Sequence, residues 1–340
     1  MKKSQLGDRN INIGIQLLRF LLCLWIVIIH CSHIKLEYTK YIRRSFHTPT
    51  FMLLAFYFYY PLLYNRIITK IIRRFQRLLI PFIIWPSLFF ILHNFSRDIF
   101  GIKKFKKRIP LKYLFMQFLI GIPIHGVFWF QFNLLFLSVL FSILSFIFKS
   151  NFLIVIQFLG IISLYFYNSK IYFNFFFPFP DEIRKNLSSI IELMPLTILG
   201  CIYSSLNLLT KVKNIPYHFQ IILFSLLILF FKYDIFMLYK GFRYHNIFLL
   251  ILVSLILFSL FGSLSFNNLK FVKIAIIHIS KFTGGIYCIH TIAGDYLANN
   301  IYIFRKKTYF LSFFIYIICY FICFSGNKLL ENYNLKYLFI

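Results

Sequence analysis

The stretch "LLRFLLCLWIVIIHCSH", residues 17–33, decides how the chain is read. It belongs to an apolar run long enough to cross a bilayer, since about 20 helical residues span a hydrocarbon core of about 30 Å. Yet Arg19 and His30 interrupt it, and His33 closes it. Arg19 and His30 are 11 positions apart. At about 100° per residue their angular offset is only about 20°, so both lie on one helix face, about 16 Å apart along the axis. A charge turned toward lipid costs at least about 2.5 kcal/mol. The stripe is therefore expected to face a bundle interior or an aqueous cavity. Taken singly, Arg19 also suits a snorkelling anchor, and His30 an interhelical hydrogen-bonder. His33 reads as an ordinary residue at the end of the span.

The same kind of run recurs. Of 340 residues, 60% are hydrophobic and 22% aromatic, and only 14% are charged, where soluble domains carry about a quarter. Apolar runs lie near 14–32, 50–64, 78–95, 127–148, 152–167, 189–209, 217–231, 245–264, 283–298 and 308–325. A shorter run at 111–124 reads as interfacial or re-entrant. The pattern predicts an all-α polytopic membrane protein with about ten transmembrane helices. Residues 1–340 read as a single membrane-embedded domain with no soluble accessory domain. The first span is expected to be retained, because "IIHCSH" offers no small-x-small cleavage site.

The net charge of +28, from 37 Lys plus Arg against 9 Asp plus Glu, raises nucleic acid as a partner. The basic residues sit in short loops between apolar runs, where they anchor helix ends and meet anionic lipid headgroups instead. Membrane lipid, and not nucleic acid, is the expected partner. Basic loops fall on both sides of the chain's alternating topology, so loop charge does not choose an orientation. Six cysteines form no C-x-x-C pair and read as small apolar fillers, with neither a disulfide nor a metal site expected. There is no Walker loop, dinucleotide glycine fingerprint, H-E-x-x-H or G-x-S-x-G, which argues against an NTPase or a soluble hydrolase.

Other polar residues stand out against this background. In "NRIITKIIRRFQRLLIPF", residues 65–82, Arg74 and Arg77 are i, i+3 neighbours with Arg66, Lys70 and Arg73 around them. Guanidinium groups fork onto phosphate oxygens, and lipid headgroups are the alternative taker. In "HGVFWFQFNLLF", residues 125–136, His125, Trp129 and Asn133 recur every fourth position, and Trp129 also suits an interfacial belt. In "TGGIYCIHT", residues 283–291, Tyr287 and His290 are i, i+3, and the glycines allow a neighbouring helix close. Glu192 is the most embedded acid. Asp295 could serve the site or pair with a lysine.

The order of these elements resembles the membrane acyltransferase-3 family. The R-x10-H first span comes first, then "PTFMLLAFYFYYPLLYNR", then an R-x-x-R before a proline. "FWFQFNLLF", "MPLTILGCIY" and "GGIYCIHT" are similar to that family's Trp-Phe, Pro-to-Gly and terminal Tyr-x-x-His stretches. The resemblance runs from about residue 14 to residue 325. It implies a multi-span enzyme that moves acyl groups, most often acetyl from acetyl-CoA, onto hydroxyls of cell-surface or lipid-linked carbohydrate. It further implies a plasma or cytoplasmic membrane location and no bound cofactor, with acyl-CoA as co-substrate. Arg19 and His30 fall on the R-x10-H positions, and Arg74 and Arg77 on the R-x-x-R positions. His30 is then the expected catalytic group, and the three arginines the acyl-CoA-binding set. Trp129, Asn133, Tyr287 and His290 are expected to bind substrate or support the site. Ala55 and Phe56 stand where the family usually has a Ser-Gly pair. A transporter or flippase would explain the spans without chemistry, but no two-fold internal repeat is evident. An inactive relative that scaffolds polysaccharide assembly is a third reading.

Overall fold

Asn12 starts the first helix, α1 (Ile13–Cys31): its side chain accepts from the Ile15 amide at 3.0 Å, satisfying one of the free donors at a helix start. The same side chain donates to the Gly262 carbonyl at 2.8 Å and so ties α1 to a distant helix. The computed structural model describes residues 12–31, 47–100, 108–121, 128–168, 181–212, 215–239, 247–264, 269–300 and 309–330. These residues are helical with no strand among them. After α1 come α2 (His47–Tyr64), α3 (Ile68–Phe100), α4 (Leu111–Ile120), α5 (Phe128–Phe148) and α6 (Phe152–Asn168). Then follow α7 (Asp181–Ser205), α8 (Leu208–Val212), α9 (Tyr217–Tyr239), α10 (Ile247–Ser263), α11 (Lys270–Lys281), α12 (Thr283–Asn300) and α13 (Tyr309–Leu330).

The apolar runs became helices, but the described residues do not confirm the expected count of about ten crossings. Five helical stretches among the described residues are long and apolar enough to cross, or six if one bent pair counts as a span. Runs 127–148 and 152–167 join in one apolar stretch that reverses at Lys149–Asn151, where Lys149 has φ 48° and the Phe141 and Phe152 rings meet at 6.2 Å. Leu111–Ile120 is apolar but only ten residues long. The bent pair is α11 and α12, which meet at 63° around Phe282. Of the basic cluster expected ahead of the third span, Lys70, Arg73, Arg74 and Arg77 lie inside α3 itself, which begins at Ile68, and Arg66 precedes it.

Three apolar clusters form the interior. One joins α1, α12 and α13 and holds five of the six cysteines, the second joins α2, α5, α6 and α7, and the third joins α1, α2 and α10. All six cysteines are buried and unbonded to one another, as fillers should be. Phe51 packs against all three clusters. On α6, Ile154, Phe158, Ile161 and Tyr165 recur on one face and are 64–66% exposed, which marks a lipid-facing side. Helices α1 and α2 sit inside the bundle, and Arg19 and His30 ride on α1.

Candidate active site

The α1 stripe has two ends of different chemistry. At the first end Arg19 is half-buried. It donates from Nη1 to Gln16 Oε1 at 3.1 Å and from Nη2 to the Thr283 hydroxyl at 3.3 Å. Ser280 donates to the same Gln16 oxygen at 2.9 Å, and Thr283 to the Ser280 carbonyl at 3.0 Å. Arg19 is thus tied to the α11–α12 bend by neutral groups that do not cancel its charge.

Arg74 reaches this end from α3. Its guanidinium lies over the Tyr59 ring at 4.2 Å and within electrostatic range of both Arg19 and Arg77. Like charges inside a low-dielectric bundle repel strongly. The arrangement suits an anion between them. Arg77, one turn further along α3, is exposed. The two members of the R-x-x-R pair therefore face different surroundings, one against α2 and one outward.

At the second end is His30, which reaches the surface near the α1 terminus. The ring of His290, fully buried on α12, lies 5.3 Å from it at 52°. His290 Nδ1 meets the Tyr287 carbonyl at 2.8 Å and the Ile286 carbonyl at 3.2 Å. Carbonyls only accept, so Nδ1 carries the proton and Nε2 is the acceptor of the neutral ring. The Tyr287 and His290 rings are 5.9 Å apart, and Tyr287 leans on Phe130 at 5.2 Å. The α1–α12 contact is fixed by the Cys31 thiol, which donates to the His290 carbonyl at 3.5 Å.

His47, which the sequence reading passed over, also belongs to this end. It opens α2, is 8% exposed, and lies within electrostatic range of His30. Its Nδ1 is buried with no hydrogen-bond partner among the described residues. A polar run, "HTPT", ahead of an apolar helix was its only trace in the sequence. Gln16, Thr283 and Tyr59 were missed for a similar reason: each is a common residue given its role by a neighbour on another helix.

The remaining expected residues sit less directly. Trp129 is half-buried, with its ring 6.1 Å from Phe130, and so adjoins Tyr287 through that phenylalanine. Asn133 is buried and donates to the Ser189 hydroxyl at 2.8 Å, a tie between α5 and α7. Glu192 is half-buried on α7. His33, His125 and the Asp295 side chain lie outside the described residues.

Two arginines from α1 and α3 at one end, and histidines from α1, α2 and α12 at the other, join the two sequence elements carrying the resemblance. An acyltransferase domain family matches residues 12–330, nearly the whole chain. The chain belongs to this acyltransferase-3 family. Curated proteins and solved structures return no match. Membership makes the chain a membrane acyltransferase, in agreement with the candidate spans. The acyltransferase-3 match contains both ends of the α1 stripe and all the residues that surround them.

Proposed function

We propose that this protein is an O-acyltransferase of the plasma or cytoplasmic membrane. It transfers an acyl group, most simply acetyl, from acyl-CoA to a hydroxyl of a cell-surface or lipid-linked carbohydrate. The observation that carries the reading is the two-ended stripe on α1. Arg19 and Arg74 lie within electrostatic range of each other at one end, and the His30 and His290 rings are 5.3 Å apart at the other. The arginines suit the phosphates of CoA, and the histidines suit a proton.

The chemistry follows from that division. A sugar hydroxyl oxygen attacks the thioester carbonyl while His30 takes its proton as general base. The carbon–sulfur bond breaks as the carbon–oxygen bond forms. CoA leaves as a thiolate and receives the proton from His30. His290, locked by its Nδ1–H bonds to two carbonyls, presents a fixed ring beside His30. The separation of about 16 Å along α1 lets the bulky nucleotide remain at the arginine end while the acyl end reaches the histidines. Trp129 offers a face on which a sugar ring can stack.

The test uses membranes incubated with radiolabelled acetyl-CoA. Native protein should label glycan, and His30→Ala at equal membrane abundance should leave it unlabelled. Full labelling by that variant would remove His30 from the chemistry. The 63° break at Phe282 gives a second reading some support, because transporters place substrate at helix breaks. A transporter would move glycan without making a labelled ester, so the same assay separates the two.

A further inference from the structure

Arg74 carries an unfilled donor pair. Its Nε and Nη2 are buried and have no hydrogen-bond partner among the described residues. These nitrogens carry the N–H bonds that run parallel along one edge of a guanidinium. That edge is the fork that grips two oxygens of a single phosphate or carboxylate. Buried donors left unpaired are costly, so an occupant that accepts both bonds is favoured. Arg19 lies within electrostatic range, which favours the higher charge of a phosphate.

Tyr59 controls where that fork points. Its ring lies 4.2 Å under the guanidinium and is fully buried. The ring is held chiefly by its burial between α2 and α5, and its hydroxyl also meets the Ser142 hydroxyl and the Ser138 carbonyl on α5. Ser142 in turn donates to the Ser138 carbonyl at 2.7 Å, and Ser145 to the Ser142 carbonyl at 2.8 Å. Phe56, 5.9 Å from the guanidinium, limits its swing on the same helix. A guanidinium held over an aromatic face keeps its donors free for a ligand at its edge, and stacking reduces the freedom lost on binding.

We propose that Tyr59 is a positioning residue for the donor: it aims the Nε–Nη2 fork of Arg74 at one phosphate group of acyl-CoA. This rests on reading the arginine end as the donor site. Lipid headgroups carry the same phosphate chemistry, so both sources are probed. Protein purified in neutral detergent is titrated by calorimetry with CoA and, separately, with dihexanoyl phosphatidic acid.

Arg74→Lys keeps the charge and removes the fork; it should bind CoA about tenfold or more weakly. Tyr59→Leu and Tyr59→Met keep apolar bulk and remove the ring; each should lose about tenfold. Tyr59→Phe keeps the ring and should stay within about threefold of native. In turnover assays the non-aromatic variants should raise KM for acetyl-CoA and leave kcat close to native, a split that general misfolding would not give. Unchanged CoA affinity in a folded Tyr59→Met, with Arg74→Lys weakened, overturns the positioning role and leaves the donor site standing. Native affinity in Arg74→Lys overturns the donor reading itself. Phosphatidic acid binding that depends on Arg74, with CoA indifferent to it, assigns the fork to lipid and overturns both.

Discussion

His47 shows how a residue acquires a role from its surroundings. It is buried at the first position of α2, near His30, with an Nδ1 that no described residue satisfies. An unpaired buried polar atom costs about 1–3 kcal/mol, so its retention needs a use. A proton passed from His30, or an acceptor hydroxyl between the two rings, would satisfy it. His47→Ala is expected to lower acyl transfer about tenfold or more while CoA binding stays near native. His47→Gln retains hydrogen bonding without titrating. If His47 handles the proton, the glutamine variant should be as slow as the alanine one in single-turnover kinetics. Native rates in both variants would return His47 to packing. Thr283 gives a companion case at the other end. Thr283→Val keeps the shape and removes one partner of Arg19, so KM for acetyl-CoA should rise a few-fold with kcat unchanged. Arg19 and His30 were legible in the sequence because ionisable groups are rare in apolar runs. His47 and Thr283 were not, because neither breaks a run and the contacts that matter cross about 17 and 264 positions of chain.

Among elements, the α2–α7 crossing stays close although Ala55 and Phe56 stand on α2. The close approach is supplied from the other side by Gly200 on α7. A Cβ there would lie 2.4 Å from the Leu53 carbonyl oxygen and 2.9 Å from the Tyr57 nitrogen. Phe56 meanwhile faces α5 and packs on Phe141 at 5.0 Å. Because the atoms that a side chain at 200 would meet are backbone, no flexible group can yield. Gly200→Val should therefore force α2 and α7 apart. The expected cost is about 1–3 kcal/mol or more. It should appear as a lower unfolding midpoint in detergent, with activity falling alongside because α2 carries both Tyr59 and His47. A native midpoint would mean that the helices separate without strain. The existence of these helices was legible from apolar run length. Their bends and reversals were not. Lys149 reverses the chain between two apolar runs, and Phe282 breaks a third, through contacts that periodicity does not encode.

On the scale of the whole molecule, the two ends of α1 give the protein a direction that its loop charges do not. With basic residues in loops on both sides, charge bias carries little information. The site carries more. On the proposed reading the donor is acyl-CoA from the cytoplasm, which requires the arginine end to face the cytoplasm and the histidine end to open toward the proposed glycan acceptor. Helix α3 starts beside Asn65 at the arginine end and runs for 33 residues, about 50 Å, which carries Lys112 to the opposite side. The six native cysteines are all buried, so they give little background to thiol labelling. Asn65→Cys and Lys112→Cys place single exposed thiols on the two sides. In intact cells a membrane-impermeant maleimide should label Lys112→Cys and spare Asn65→Cys until the membrane is opened. The reverse pattern would put the arginines outside, where no acyl-CoA is available, and would overturn the donor assignment together with the direction of transfer.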